Sequence, residues 1–473
     1  MPHPLDGIPE LAGVATYEEA ARVGYSVNEN VRRLLRYHWV ERRLLALLVS
    51  RITSEPVWEV KCAFALHQWQ SAEHVETLRR RIAEMRSPVP RLDVVPEADP
   101  TAPALDAFLD ALDEARDTTS LLLGVYGVAY PALAETYREH FAHTNPLVDQ
   151  PTRRLLRIAL LETEEAVDWG ARAREALSAA RYARGERQDS EEWEAYLRAL
   201  LAAAGGIAGD RPIGEASRAP RHVPSAGTGA PRSPDRESFL PQRDERFHGQ
   251  YNFEFAPHVV YSMPDVPADE RNLALLCKRT LEMDVPEMMA SFMTERRGQP
   301  WEFYRDYSRQ LWDEARHAMM GSVAFEAKGV DWKREIPLNI SFALRLNLHA
   351  TPIERQMMLY AIEQSLMPGE TGKRYEHETA VAAGDALSAH FHDYDWADEV
   401  LHAQIGRRML KREGISSDEA RDQARGIHEK TWAALEQYKH LDSQHDWWPA
   451  FVRKILGKES EAGARPALNI FAE

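Results

Sequence analysis

Glu314 and His317 stand three residues apart in Glu314-Ala315-Arg316-His317, and the same spacing returns in Glu399-Val400-Leu401-His402. Each pair lies in a long stretch with helical periodicity. Positions i and i+3 of a helix share one face about a turn apart, so each pair aims a carboxylate and an imidazole the same way. A pair placed like this can hold one metal ion. A chain that carries two of them is constrained to be helical over both stretches and to turn those faces inward.

Helical periodicity dominates elsewhere too, and few stretches alternate with the two-residue period of strands. The pattern predicts helices over about 28–50, 57–86, 104–141 and 150–185, and a second set over about 268–296, 301–328, 352–382 and 394–413. Between the sets, residues 205–235 hold six Gly, five Pro and three Ser, 14 of 31 positions. Such a segment buries too little apolar area to order itself. The expected organisation is an N-terminal domain over 1–204, a linker over 205–250 and a C-terminal domain over 251–473. Ser416-Ser417-Asp418-Glu419 reads as a capping box for a further helix to about Gln437, and Trp447-Trp448-Pro449 opens a short terminal one.

The two halves read as copies. Trp58, Glu59, Trp69, Ala72 and His74 match Trp301, Glu302, Trp312, Ala315 and His317 at an offset of 243. Pro131, Glu139 and His140 match Pro368, Glu376 and His377 at an offset of 237, which also carries Glu162 onto Glu399. Agreement over two ungapped segments indicates a tandem duplication.

Glu-x-x-His alone is weak evidence in a chain with 18 histidines. A third match, Glu245-Arg246-Phe247-His248, sits beside the linker without helical context and reads as accidental. The weight lies in the combination. Glu363 lies on an apolar helical stretch 36 residues before Glu399, and Glu287 lies 27 residues before Glu314. Each gap accommodates a helix, a turn and a return at 1.5 Å per residue. Four helices can therefore bring Glu287, Glu314, His317, Glu363, Glu399 and His402 to one level. Unpaired carboxylates are costly to bury, and a pair of divalent cations removes that cost. Asp284 is the alternative to Glu287 on the first helix, because it matches Glu41 at the offset of 243; Pro286 beside it implies a kink or a helix start.

With these residues in place, the chain resembles the ferritin-like di-iron carboxylate superfamily, whose pattern is Glu, Glu-x-x-His, Glu, Glu-x-x-His over four helices. The resemblance covers about 268–413 in full and 28–185 in degraded form. It implies an all-α fold of two ferritin-like four-helix bundles in tandem with extra C-terminal helices. It implies two iron ions, or manganese or a mixed pair, with Glu314 and Glu399 as bridging or chelating carboxylates and His317 and His402 as terminal imidazoles. It further implies an oxidoreductase that uses dioxygen to oxidise a small organic substrate. The first half departs from the pattern: Ser71 replaces the partner of His74, Tyr126 falls where Glu363 would be, and Glu165 where His402 would be. Glu41, His74, Glu162 and Glu165 there read as a hydrogen-bonded remnant or a single-metal site.

Other features bound the function. Lysine plus arginine number 58 and aspartate plus glutamate 74, a formal charge of −16, which disfavours nucleic acid. Cys62 and Cys277 are the two cysteines, too few for a disulfide framework or a cysteine-based metal site. The N-terminus shows neither a basic n-region nor an apolar h-region, and no run of 18 apolar residues occurs, so a cytoplasmic protein without a membrane span is expected. Of 13 Met, 11 lie at or after Met263, around the candidate ligands; core filling is the simpler account of them. No nucleotide-binding glycine pattern appears, so an electron donor would be a separate protein or the substrate itself. A homodimer is compatible with the duplication. A ferroxidase or metal-binding protein without organic substrate, and a non-catalytic helical scaffold, stay open as alternatives.

Overall fold

A computed structural model describes residues 3–86, 88–92, 99–183, 190–213, 239–247, 249–253, 255–367, 369, 372–442 and 446–462. Most of the expected linker, His248 and Pro368 lie outside these. The described residues are helical, and their one extended pairing is an isolated bridge between Tyr251 and Asn339. None of the described helices is long and apolar enough to cross a membrane. The chain forms two compact units, one of Met1–Leu47 with Gln70–Ser233 and one of Leu48–Trp69 with Pro234–Glu473.

The first unit is built from α1 (Val27–Ile52) and α2 (Trp58–Met85), each in part, and from α3 (Ala102–Asp113), α4 (Tyr130–His143), α5 (Gln150–Ala183) and α6 (Ser190–Ala203). The single helix expected over 104–141 is broken. Asp117 caps a new start by accepting from Ser120 N, and Leu123–Ala129 winds as a π-turn before α4. The linker composition also misleads at its beginning. Ile207 and Ala208 are buried, and the Arg36 guanidinium donates to the carbonyls of Ala204, Gly206 and Ile207. One buried arginine supplies the donors that order this Gly-rich turn.

In the second unit the helices are α7 (Ala268–Leu281), α8 (Asp284–Glu295), α9 (Trp301–Ala327), α10 (Ser341–His349), α11 (Pro352–Ser365), α12 (Lys373–Ala382), α13 (Ala386–Arg412), α14 (Ser417–Ala433) and α15 (Trp448–Leu456). The segment 48–69, read from sequence as part of the N-terminal domain, packs here. Gln68 donates to Ser308 O at 2.9 Å, and Trp69 stacks on Trp312 at 6.2 Å. Two long helices, α9 and α13, run uninterrupted side by side, while α7 with α8 and α11 with α12 pack around them. Each of those pairs is one expected helix in two pieces. Pro286 lacks the N–H that would bond the Glu282 carbonyl, so the helix ends at Leu281 and restarts at Asp284. This break turns Glu282 into a terminal residue of α7. Ser416 caps α14 by accepting from Glu419 N, as its capping signature predicts.

Met283, Met288, Met289, Phe292, Tyr307, Leu311, Met358 and Tyr360 fill the core between these helices. Cys62 and Cys277 are buried free thiols. Helix α9 reaches α7 closely at Gly321, where an added Cβ would lie 2.9 Å from Thr280 N and 3.0 Å from its Cγ2. Backbone cannot swing aside as a side-chain tip can. Gly321→Ala should therefore lower stability by about 1–3 kcal/mol, read as a reduced melting temperature in thermal denaturation.

Candidate metal centre

The sequence Asp-Glu-x-x-His occurs on both uninterrupted helices: Asp313-Glu314-Ala315-Arg316-His317 on α9 and Asp398-Glu399-Val400-Leu401-His402 on α13. The two copies are cross-connected. Nε2 of His402 lies 3.4 Å from Asp313 Oδ2, and Nε2 of His317 lies 3.1 Å from Asp398 Oδ2. The opposite nitrogens point inward. Nδ1 of His402 is 3.1 Å from Glu314 Oε1 and 3.3 Å from Glu399 Oε2. Nδ1 of His317 is 3.1 Å from Asp395 Oδ1 and 3.6 Å from Glu314 Oε2. The aspartates are themselves anchored: Arg309 Nε donates to Asp313 at 2.8 Å, and Arg316 bridges Asp313 at 2.6 Å and Asp398 at 2.7 Å. A carboxylate behind each imidazole fixes which nitrogen faces inward.

Donor atoms converge in two adjacent groups. Glu314, Glu363, Glu399 and His402 form one, and Glu282, His317 and Asp395 the other, each with its ligand atoms within 4.8 Å of one another. Four of the six residues expected from sequence share the first group, and His317 enters the second. Glu287 enters neither. It is buried against Lys61 and the Arg243 guanidinium, whose second nitrogen is 3.2 Å away, so two cations already neutralise it. Asp284, the alternative, accepts from Ala343 N at 3.4 Å and stands 3.8 Å from Arg243, also outside both groups. Burial and the neighbouring Glu287 push its carboxyl well above the usual range.

Glu282 takes the first-helix place instead. Its signal in the sequence is Pro286, which breaks the helix beside it. Asp395 was also missed, although it lies four residues before Glu399 on the same helical face. Asp313 and Asp398 could have been found because an aspartate precedes the glutamate in both motifs.

The buried charge is balanced by protons and basic side chains. Burial, and then the nearby Glu399, push Glu363 well above the usual carboxyl range, and its Oε1 accepts from Gln310 at 2.8 Å. Burial disfavours charge on His317, but Asp395, Asp398 and Glu314 outweigh it and raise the imidazole to about 10. Burial opposes charge on His402 too, but the hydrogen bonds it donates to Asp313, Glu314 and Glu399 hold it well above its ordinary value. Burial opposes ionisation of Glu399, yet Lys373 at 2.9 Å holds it well below the usual range. Three atoms of the two groups stay underused: Glu363 Oε2, His317 Nδ1 and Asp395 Oδ2 make no well-directed hydrogen bond although all are buried. A buried donor set of oxygen and nitrogen with unsatisfied inward atoms fits a transition-metal cation. A third group of Glu376, His392 and Asp395 sits alongside, tied to Arg279 and Lys278. Comparison with protein-family models, with curated proteins and with solved structures returned no match.

The first unit handles its polar residues differently. His74 is held at both nitrogens, by Glu41 Oε1 at 2.8 Å and Glu162 Oε2 at 2.8 Å, and Tyr137 donates to Glu41 at 2.8 Å. Glu165 is exposed and does not join them. Among the described residues, no metal-ligating group occurs in this unit. Burial opposes charge on His74, but the two glutamates outweigh it and raise the imidazole to about 9 from 6.5. A folded-state value raised in this way gives stability that is fully present below about pH 6.5 and disappears as pH rises through about 9. The stability difference between wild type and His74→Gln should accordingly shrink over that interval by on the order of 3 kcal/mol, measured by urea denaturation at a series of pH values.

Proposed function

We propose that the second unit is a ferritin-like dimetal carboxylate domain that takes iron, or manganese or a mixed pair, and uses dioxygen to oxidise a small organic molecule. The observation that carries this reading is the crossed pairing of the two Asp-Glu-x-x-His motifs. A helical scaffold has no need to aim two imidazole nitrogens at three acidic groups while an aspartate holds each ring from behind. In this reading the first unit is a degenerate copy. Its His74, pinned by Glu41 and Glu162, supplies with a proton the positive charge that a metal would bring.

Glu314 and Glu399 belong to the first group, and Glu314 also reaches His317 of the second, so these two carboxylates would be held in common by the pair. Glu363 and His402 would complete one position, and Glu282, His317 and Asp395 the other. When bound, a redox-active metal pair supplies the electrons for reduction of dioxygen. The protein's own part is positional. Asp313 and Asp398 hold the Nε2 protons of the imidazoles, Gln310 orients Glu363, and the surrounding methionine and aromatic core excludes bulk water. Reducing equivalents would come from the substrate or from a separate electron-donor protein.

One observation favours the narrower alternative of metal handling or ferroxidase activity without an organic substrate. Two clefts among the described residues, of about 540 and 440 Å³, are lined around Gly384 and Asp385 by none of the donor residues. An apolar molecule that raises oxygen consumption above the metal-only rate would decide for the oxygenase.

Protein produced with ample iron and manganese should purify with stoichiometric transition metal, by elemental analysis. Glu314→Ala and His402→Ala should lose it at least tenfold, together with reductant-dependent oxygen uptake. A folded wild-type protein that purifies without metal rejects the reading. Asp313→Asn should keep the fold and weaken metal retention roughly 10–100-fold, measured by competition against a chelator.

A further inference from the structure

The two donor groups are not equivalent in what already faces them. Lys373 is 1 % exposed, at the first turn of α12. Its ammonium lies 3.0 and 2.9 Å from the two oxygens of Asp395, 2.9 Å from Glu399 Oε1 and 3.7 Å from Glu282 Oε1. The ammonium donates to Asp395 Oδ1 and pairs electrostatically with the other carboxylate oxygens. Arg279 adds its guanidinium to the same side, 2.7 Å from Asp395 Oδ1 and 2.7 Å from Glu282 Oε2. On the other side, Glu363 accepts from Gln310 and meets Glu314, Glu399 and His402; of these four donors Glu399 alone is shared with Lys373, and Glu314, Glu363 and His402 have no lysine or arginine against them among the described contacts.

The break between α11 and α12 is what delivers this lysine. The helix stops at Ser365, the chain returns, and Lys373 N donates to Leu366 O at 3.0 Å as α12 begins. Its side chain then enters a space lined by acids from α7 and α13. Removing the ammonium leaves Glu399 without a lysine or arginine partner and Asp395 and Glu282 with Arg279 alone, and the ammonium itself must find another partner or reach water.

We propose that Lys373 is the resident cation of the Glu282–His317–Asp395 position, so that the centre binds one metal ion tightly at Glu314, Glu363, Glu399 and His402, and a second only by displacing the lysine. This rests on the reading that the first group binds metal. The second ion arrives with two positive charges but expels one, so its net electrostatic gain is about half that of an ion entering an unoccupied acidic pocket. Binding at the two positions should differ by at least about 100-fold, the scale of breaking a buried ion pair. The protein would then pass between one-ion and two-ion states according to metal supply, with Lys373 setting the threshold.

The test is a manganese(II) titration of the full chain, followed by chelator competition and elemental analysis. Wild type should retain one ion per chain at chelator concentrations that strip the second. Lys373→Met, which keeps length and apolar stem but loses the charge, should retain two. Lys373→Arg should behave as wild type. A wild type that holds two ions with equal strength, or a folded Lys373→Met that still retains one, overturns the proposal. Independently of whether the variant folds, crystals of wild type grown with one equivalent of manganese should show anomalous scattering at the first position alone. Equal peaks at both positions overturn the inference while leaving the metal reading intact, whereas no retained metal in any sample removes both.

Discussion

The architecture of the second unit depends on negative charge gathered between two helices that cannot reach water. Five carboxyl groups, Glu282, Glu314, Glu363, Asp395 and Glu399, meet between α9, α13 and the ends of their neighbours. Desolvated charges of one sign at this separation are unsustainable without compensation. Every other polar choice nearby answers to that constraint: a Glu363 carboxyl held above the usual range, charge on two imidazoles, Arg279 and Lys373 on one flank, Arg309 and Arg316 behind the aspartates. The uninterrupted helices carry the two repeated motifs, and the interrupted ones supply the single acids and the compensating bases.

The first unit shows the same problem at smaller scale. With serine at position 71 and tyrosine at 126, only Glu41 and Glu162 face His74, and one imidazolium is enough. Tyr126 fits under the π-turn against Gly170, where an added Cβ would lie 2.2 Å from its own Cβ.

Much of this was legible in the sequence, and the failures have specific causes. Long amphipathic stretches gave the helices over 28–50, 57–86, 150–185 and 301–328 to within a few residues, because the 3.6-residue period is a property of the chain itself, whereas 104–141, 268–296 and 352–382 are each broken and α13 begins at Ala386 rather than at 394. The Glu-x-x-His spacing located Glu314, His317, Glu399 and His402, because i, i+3 geometry is fixed by the helix. Glu287 was misplaced because periodicity was carried through Pro286 as though the helix were continuous. The break rotates the chain, so the acid before it faces the centre and the acid after it meets Lys61 and Arg243. The packing of 48–69 into the second unit rests on side-chain contacts between residues more than 200 positions apart, as between Gln68 and Ser308. No local pattern encodes those. The role of Lys373 was hidden for the same reason, since a lysine at the start of a helix looks like any solvated surface residue.

A pocket that carries Lys373 and Arg279 among its acids differs from small metal-dependent folds, in which bare thiolates or carboxylates repel one another until an ion arrives. Here the repulsion is already answered from within. On the proposed reading, metal acquisition would be an exchange of one cation for another, and scarce metal would not by itself mean scarce folded protein.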